Sequence, residues 1–404
     1  MTEEIYNECA ETVSFDAETV SCRESGREGV YELVLDRTAF FPEQGGQYAD
    51  RGTIAGEDGI PVPVTDAKMR EGDVIHYVSR AFRPGEKVHG EVDWADRYDK
   101  MQQHTAEHIV SGIICSAFGC DNVGFTLGPD HMHADYSVPL TADQIREAEL
   151  RANEAVWKNL PVEISWPDEE ELKHLAYRSK KEIEGRVRIV TIPGIDVCAC
   201  CAPHLRRTGE IGLIRIVSAE KYKGGTRVLI LAGKRAYRYD SLMIGALNRT
   251  ARDLSVKAEA VPESVAKLKE ENSQLRYENR GMLQKLLKAK IAEASSEENP
   301  VIFGQGLDMT MMQHAADELM QGKSGIGGIF SGNDSDGYLF VIFSSQADCR
   351  QIAASVRAEL GGKGGGRNPM IQGSIPASEK SIRRWFEKIV RSAETAAGQQ
   401  NERR

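Results

Sequence analysis

The chain has 404 residues, enough at roughly 100–200 residues per domain for two to four domains. Its 41% hydrophobic and 28% charged residues are ordinary for a globular chain, and no apolar run approaches the ~20 residues that span a bilayer, which excludes a helical membrane protein. The net charge of −10 excludes a wholly basic nucleic-acid coat, and the acidic start Met1-Thr2-Glu3-Glu4-Ile5 lacks the pattern of a secretory signal, so a cytoplasmic protein is expected.

The first 95 residues read as β: Val30–Asp36 alternates in part, and short pieces such as Val74–Val78 recur between Gly, Asp and Pro breakers, which suggests a small barrel or sandwich. From Asp96 to Phe118 the apolar residues Met101, Ile109, Ile113 and Ala117 predict a helix. A strand over Met132–Val138 follows, then a helix opened by the Thr141–Gln144 capping signature and running to about Leu160. Val187–Ile192, Ile211–Val217 and Thr226–Leu231 predict strands, with a Cys-rich loop between the first two. Residues 96–248 thus read as an α+β domain.

Leu254–Ile291 is different. Val261, Leu268, Leu275, Met282 and Ala289 recur every seven residues, and Val265, Asn272, Asn279 and Leu286 fill the complementary position. That period predicts a coiled coil over 252–294, and hence a homodimer through residues 254–291, with the two Asn specifying register. The bland alternative is a long helix packed on its own domain. After a Ser/Glu/Asn/Pro linker, residues 298–395 read as a small α/β domain containing the loop Gly361-Gly362-Lys363-Gly364-Gly365-Gly366-Arg367. Between Gly361 and Arg391, Lys363, Arg367, Lys380, Arg383, Arg384, Lys388 and Arg391 face only Glu379 and Glu387, so an acidic chain carries a basic C-terminal segment. The expected fold class is therefore α+β: a small barrel over 1–95, a metal-binding domain over 96–248, a long helix and a C-terminal α/β domain.

Two short windows carry metal-ligand chemistry. His104 and His108 stand at i and i+4, on one face of a helix. Cys200 and His204 repeat that spacing about ninety residues later. Three imidazoles and one thiolate form a complete tetrahedral set for one Zn²⁺, with Cys198 and Cys201 as competing thiolates. His104-x-x-Glu107-His108 also matches the inverted zinc-peptidase pattern, with Glu107 as base and Glu182 or Glu184 as a distant ligand, but that reading leaves Cys200 and His204 unexplained.

The stretch Thr38-Ala39-Phe40-Phe41-Pro42-Glu43-Gln44-Gly45-Gly46-Gln47-Tyr48-Ala49-Asp50-Arg51-Gly52 pairs two Gly, which permit close backbone approach, with flanking polar groups. As physics alone it is equally a hairpin turn. In order, this stretch, His104-x-x-x-His108, Cys200-x-x-x-His204 followed by Arg207-Thr208-Gly209-Glu210-Ile211-Gly212, the long helix and the Gly361–Arg367 run resemble the editing region and C-terminal DHHA1-type domain of alanyl-tRNA synthetase. The likeness covers nearly the whole chain and is most similar to the long-form AlaX-type alanyl-tRNA editing proteins. Two departures stand out. The family's Cys-Gly-Gly-Thr-His appears as Cys200-Cys201-Ala202-Pro203-His204, and too few residues precede Phe40 to hold an aminoacylation core, so neither ATP binding nor ligase activity is expected.

The resemblance implies hydrolysis of mischarged Ser-tRNA(Ala), with Gly-tRNA(Ala) as a further substrate, in the service of translation fidelity. It implies zinc at a site of His104, His108, Cys200 and His204. It places Thr105, Thr38 and Gln47 in the reaction, and Glu43, Gln44, Gly45, Gly46 and Asp50 around the substrate. Lys363, Gly364, Gly365, Gly366 and Arg367 would meet the tRNA backbone, and neither DNA nor a membrane is an expected partner. The rival of another class is a zinc-stabilised tRNA-binding or assembly protein without hydrolase activity.

Overall fold

The computed structural model describes residues 1–179 and 186–401, the side chains only through 395, in two compact units, Met1–Arg249 and Thr250–Arg404. In the first unit β1 (Ser14–Glu24), β2 (Tyr31–Leu35), β3 (Gly52–Ala55), β4 (Pro61–Arg70), β5 (Asp73–Val78) and β6 (Lys87–Val92) close into a barrel in the order β1-β2-β5-β4-β3-β6. Strand alternation fills it: Val88 and Val92 of β6 point inward with Phe15, Leu33, Leu35, Phe40, Ile54, Val62, Val64 and Val78. Gly90 is demanded by that packing, because a Cβ there would lie 2.4 Å from the Phe15 ring.

α1 (Trp94–Phe118) leaves the barrel. Asp93 caps it by accepting from Ala95 and Asp96 N–H, and Gly119 ends it in the left-handed conformation. It starts two residues before the expected position because the cap, and not the apolar pattern, sets its first turn. Around it stand β7 (Asn122–Leu127), β8 (Met132–Tyr136), α2 (Ala142–Trp157), β9 (Glu163–Ser165), β10 (Ile189–Ile192), β11 (Asp196–Ala199), β12 (Ile214–Tyr222), β13 (Gly225–Ala232) and α3 (Gly233–Asp253). They form a four-stranded sheet, β12-β13-β8-β7, and a three-stranded sheet, β9-β10-β11. One core joins α1, α2 and the larger sheet through Ile109, Val110, Ile113, Met132, Ala148, Ala152, Val228 and Ile230.

Several elements differ from the sequence reading, which also did not include β7 and β9. The expected strand Ile211–Val217 begins only at Ile214, because Thr208–Ile211 forms a 3₁₀ turn closed by Gly212 at φ 80°. β11 was not foreseen, so Cys198 lies on a strand and the Cys-rich loop starts only after Ala199. α3 was also missed.

The second unit opens with α4 (Val261–Ala294), followed by β14 (Val301–Gly304), α5 (Met309–Met320), β15 (Ile326–Asn333), β16 (Gly337–Ser344), α6 (Cys349–Leu360), β17 (Lys363–Arg367), β18 (Met370–Ile375) and α7 (Glu379–Asn401). The sheet order is β14-β15-β16-β18-β17. The long helix begins at Val261 and not at Leu254, since Pro262 fits only its first turn. The Gly-rich run is not a loop. It is the edge strand β17, paired antiparallel to β18 from Lys363↔Ser374 to Arg367↔Met370. A Cβ at Gly364 or Gly366 would strike the Gln372 or Met370 carbonyl, at 2.3 and 2.6 Å, so glycine there serves strand packing. No helix among the described residues is long and apolar enough to cross a membrane.

Candidate metal centre

Helical spacing sets the first half of the site. His104 and His108 project from one face of α1 with ring centroids 5.5 Å apart. The hairpin of β10 and β11 supplies the second half, carrying the chain through Cys200 to His204, whose ring lies 4.9 Å from that of His104 and 4.7 Å from that of His108. One donor atom from each of His104, His108, Cys200 and His204 lies within 4.8 Å of the others. Cys200 Sγ is 3.6 Å from His104 Nε2 and 3.4 Å from His204 Nε2.

Those distances fit a tetrahedral metal. Bonds of about 2.0 Å to nitrogen and about 2.3 Å to sulfur separate the two donors by about 3.5 Å. The competing thiols sit elsewhere. Cys198 is beside His108 and Asp196, and Cys201 packs with Tyr6, Phe41 and Ala202.

Each imidazole is aimed by its other nitrogen. His104 Nδ1 meets Gln47 Oε1 at 2.8 Å, His108 Nδ1 meets Asp196 Oδ2 at 2.9 Å, and His204 Nδ1 meets Thr105 Oγ1 at 3.2 Å. With Nδ1 donating outward, each ring turns the lone pair of its Nε2 toward the cluster, as a metal centre requires. Arg178 in turn grips Asp196 with Nε to Oδ1 at 2.7 Å and Nη2 to Oδ2 at 2.8 Å. Burial works to raise the Asp196 carboxyl, but the hydrogen bonds and charges of His108 and Arg178 outweigh it and hold it below the usual carboxylate range. Burial likewise opposes a charge on His108, yet the bond to Asp196 leaves its pKa raised. His204 is pushed well below the usual range by burial and by the neighbouring histidines.

The glycine stretch brings a second element to the site. Gln44 and Gln47 close a tight turn through two backbone bonds, with Gly45 and Gly46 at φ 63° and 85°. A Cβ at Gly45 would reach Cys201 Sγ at 3.4 Å, and one at Gly46 would press on Phe125 O at 2.7 Å. Gln47 is fully buried, and its Nε2 has no hydrogen-bond partner among the described residues. Glu43 and Gln44 are exposed on the turn, Glu43 near Lys68.

Other sequence candidates lie apart from the cluster. Thr38 is buried inside the barrel, its hydroxyl 2.8 Å from His76 Nε2. Asp50 is buried between Arg97 and Lys100 and also accepts from Phe41 N at 2.7 Å. Glu107 turns to Ser111, whose hydroxyl donates to it at 2.8 Å, and to Asn122, so it takes part in a polar core network and does not join the four donors. Glu182 and Glu184 lie outside the described residues. Lys363, Gly364, Gly365, Gly366 and Arg367 are all exposed on the edge of the second unit's sheet. Asp196 and Arg178 were missed by sequence reasoning. An Asp four residues before the ligand Cys was the one available signal.

Comparison with known proteins matches the barrel, part of the α+β domain and the C-terminal unit to three families. Residues 2–96 match the family described as tRNA synthetases class II (A), residues 187–228 the threonyl and alanyl tRNA synthetase second additional domain, and residues 286–393 the DHHA1 domain. The chain is 28% identical over 402 residues to the alanyl-tRNA editing protein AlaX-L of Pyrococcus horikoshii, covering 95% of this chain and 96% of that one. It is 31% identical to the alanyl-tRNA editing protein Aarsd1-B of Xenopus laevis, over 63% of this chain and 62% of that one. An alanine–tRNA ligase of Natronomonas pharaonis is 33% identical over 72% of this chain, which spans only 32% of that enzyme. The chain resembles the long-form AlaX alanyl-tRNA editing protein over nearly its whole length, and its last third matches the DHHA1 domain.

Proposed function

We propose that the protein is an aminoacyl-tRNA deacylase that edits in trans, removing serine, and also glycine, from mischarged tRNA(Ala), with one Zn²⁺ held by His104, His108, Cys200 and His204. The observation that carries the reading is the convergence of three Nε2 atoms and one thiol, each ring pinned from behind. The need is physical: a pocket built for alanine cannot strongly reject a smaller side chain, nor one that adds a hydroxyl, so a second hydrolytic site is required. A bound zinc supplies Lewis-acid polarisation or fixes the ester and terminal ribose.

The chain's own groups then divide the work. Gln47 keeps both protons of its amide nitrogen for the pocket while its oxygen holds His104, so it is suited to donate to the ester or the incoming water. Thr105 accepts from Leu205 N at 3.2 Å and from His204, which leaves its hydroxyl proton as a donor close to the seryl group. The Gly45–Gly46 turn lets the substrate approach the backbone, flanked by Glu43 and Gln44. Thr38 and Asp50 act from inside, bracing the turn. Lys363 and Arg367, on a strand edge with Gly364, Gly365 and Gly366 between them, meet the tRNA backbone. The long helix pairs two copies of the chain. The working parts are 1–95, 96–248, 252–294 and 298–395, and the protein works in the cytoplasm.

The test is deacylation of Ser-tRNA(Ala) against Ala-tRNA(Ala) by zinc-loaded protein and by His108→Ala. Selective loss of the seryl ester with the native chain alone supports the reading. An intact seryl ester would favour a tRNA-binding protein whose metal is structural, and casein cleavage would revive the peptidase reading.

A further inference from the structure

Three of the four donors have a dedicated partner, Gln47, Asp196 and Thr105, and the fourth donor, Cys200, has one of a different kind. Arg188 stands at the start of the β10–β11 ladder, directly across from the cysteine loop. Its backbone carbonyl accepts from Cys200 N at 3.1 Å, and its Nη1 donates to Cys200 O at 2.8 Å and Ala202 O at 2.9 Å. One residue therefore holds both ends of the Cys200–Ala202 turn. The next residue, Pro203, has no N–H to help fix that turn.

The charge of Arg188 is unusual. The residue is only 5% exposed, no carboxylate pairs with it among the described residues, and its Nε has no hydrogen-bond partner. A buried cation is costly unless something nearby is negative. Its Nη1 sits on the backbone carbonyl of Cys200 itself, the residue whose thiol stands among the four clustered donors.

We infer that Arg188 is the positioning residue of the cysteine ligand: it clamps the loop carbonyls so that Sγ faces the three imidazoles, and its guanidinium is the counter-charge of the ligating thiolate. This rests on the reading that the cluster holds zinc. The two carbonyls need a fork of donors, which a guanidinium presents and an ammonium does not. The thiolate needs only the charge. Arg188→Lys and Arg188→Met therefore separate the two roles.

The experiment compares native protein, Arg188→Lys and Arg188→Met. Zinc affinity is measured by chelator competition, and the sulfur-to-metal charge-transfer band by absorption after loading with Co²⁺. In Arg188→Met zinc affinity is expected to fall about 10–100-fold, the range for loss of a group supporting a ligand. Its cobalt band is expected to move to lower energy, because nothing then stabilises the sulfur lone pairs. Arg188→Lys is expected to keep the band in place while recovering only part of the affinity. An unmoved band in Arg188→Met, or an affinity within about twofold of native in either variant, overturns the inference. If Arg188→Met does not fold, Arg188→Lys alone decides by the same affinity criterion. Failure of the native chain to take up metal would instead overturn the zinc reading.

Discussion

Gln47 Oε1 lies 2.8 Å from His104 Nδ1, so a side chain on the turn that follows the barrel's second strand orients a donor on α1, fifty-seven residues away. The barrel is thus part of the site and not an appendage to it. Gln47→Ala removes the acceptor and leaves the His104 tautomer unset. Zinc affinity is expected to fall about 10–100-fold, and deacylation with it. Gln47→Glu keeps an acceptor and should retain zinc, but it loses the amide protons and should lose activity at saturating metal. Equal activity in Gln47→Glu and native protein would remove the amide from the reaction.

The Arg178–Asp196–His108 chain gives a second prediction. Asp196→Asn leaves the shape nearly unchanged but weakens the grip on Nδ1 and leaves Arg178 without its buried carboxylate. Breaking a buried ion pair on one side costs about 3–5 kcal/mol. Both the unfolding midpoint of the metal-free protein and its zinc affinity are therefore expected to drop. The double variant Asp196→Asn/Arg178→Met is expected to recover part of the stability without recovering zinc affinity. Calorimetry and chelator titration on the same preparations check this, and an undiminished affinity in Asp196→Asn would dismiss the relay.

The four clustered donors were legible in the sequence for a local reason: both His104/His108 and Cys200/His204 are four apart, and short spacing survives folding. Their supports were hidden because each pairing is nonlocal. Asp196 meets His108 across eighty-eight residues, and Arg188 meets Cys200 only because β10 and β11 form a hairpin. Polar residues of the glycine stretch misled in the opposite sense. Thr38 and Asp50 read as pocket groups, yet His76, Arg97 and Lys100, from other elements, draw them inside. The barrel was visible as recurring short strands. The strand at Lys363–Arg367 was not, because five residues with three glycines carry no β pattern and take their form from β18.

His76 predicts a pH dependence of stability. Burial pushes its pKa from about 6.5 down to about 4, and its Nδ1 lies 3.1 Å from Leu33 O within the barrel wall. Below pH 6.5 the unfolded chain takes up a proton that the folded barrel refuses. The stability from keeping His76 neutral is thus fully present above pH 6.5 and declines as pH falls toward 4, by about 3 kcal/mol over that window. His76→Gln has no such proton to bind. Its denaturant midpoint should fall less steeply than that of the native chain between pH 6.5 and 4, and parallel curves would show that His76 does not contribute.

The long helix makes the last prediction. Leu275 and Met282, both on the heptad seam, are 63% and 67% exposed in a single chain, and Val265, Leu268 and Leu286 are exposed on the same helix. A row of such residues at a seven-residue period is stable in water only when another helix covers it. Asn272 and Asn279 on that seam would set the register and limit the oligomer to a small number of chains. The native protein is therefore expected to sediment as a dimer at micromolar concentration. Leu275→Glu, which places like charges face to face in the pair, is expected to sediment as a monomer with its zinc content unchanged. A native chain that stays monomeric would show that the seam is not a homodimer contact. A dimer indifferent to Leu275→Glu would place that contact elsewhere on the molecule.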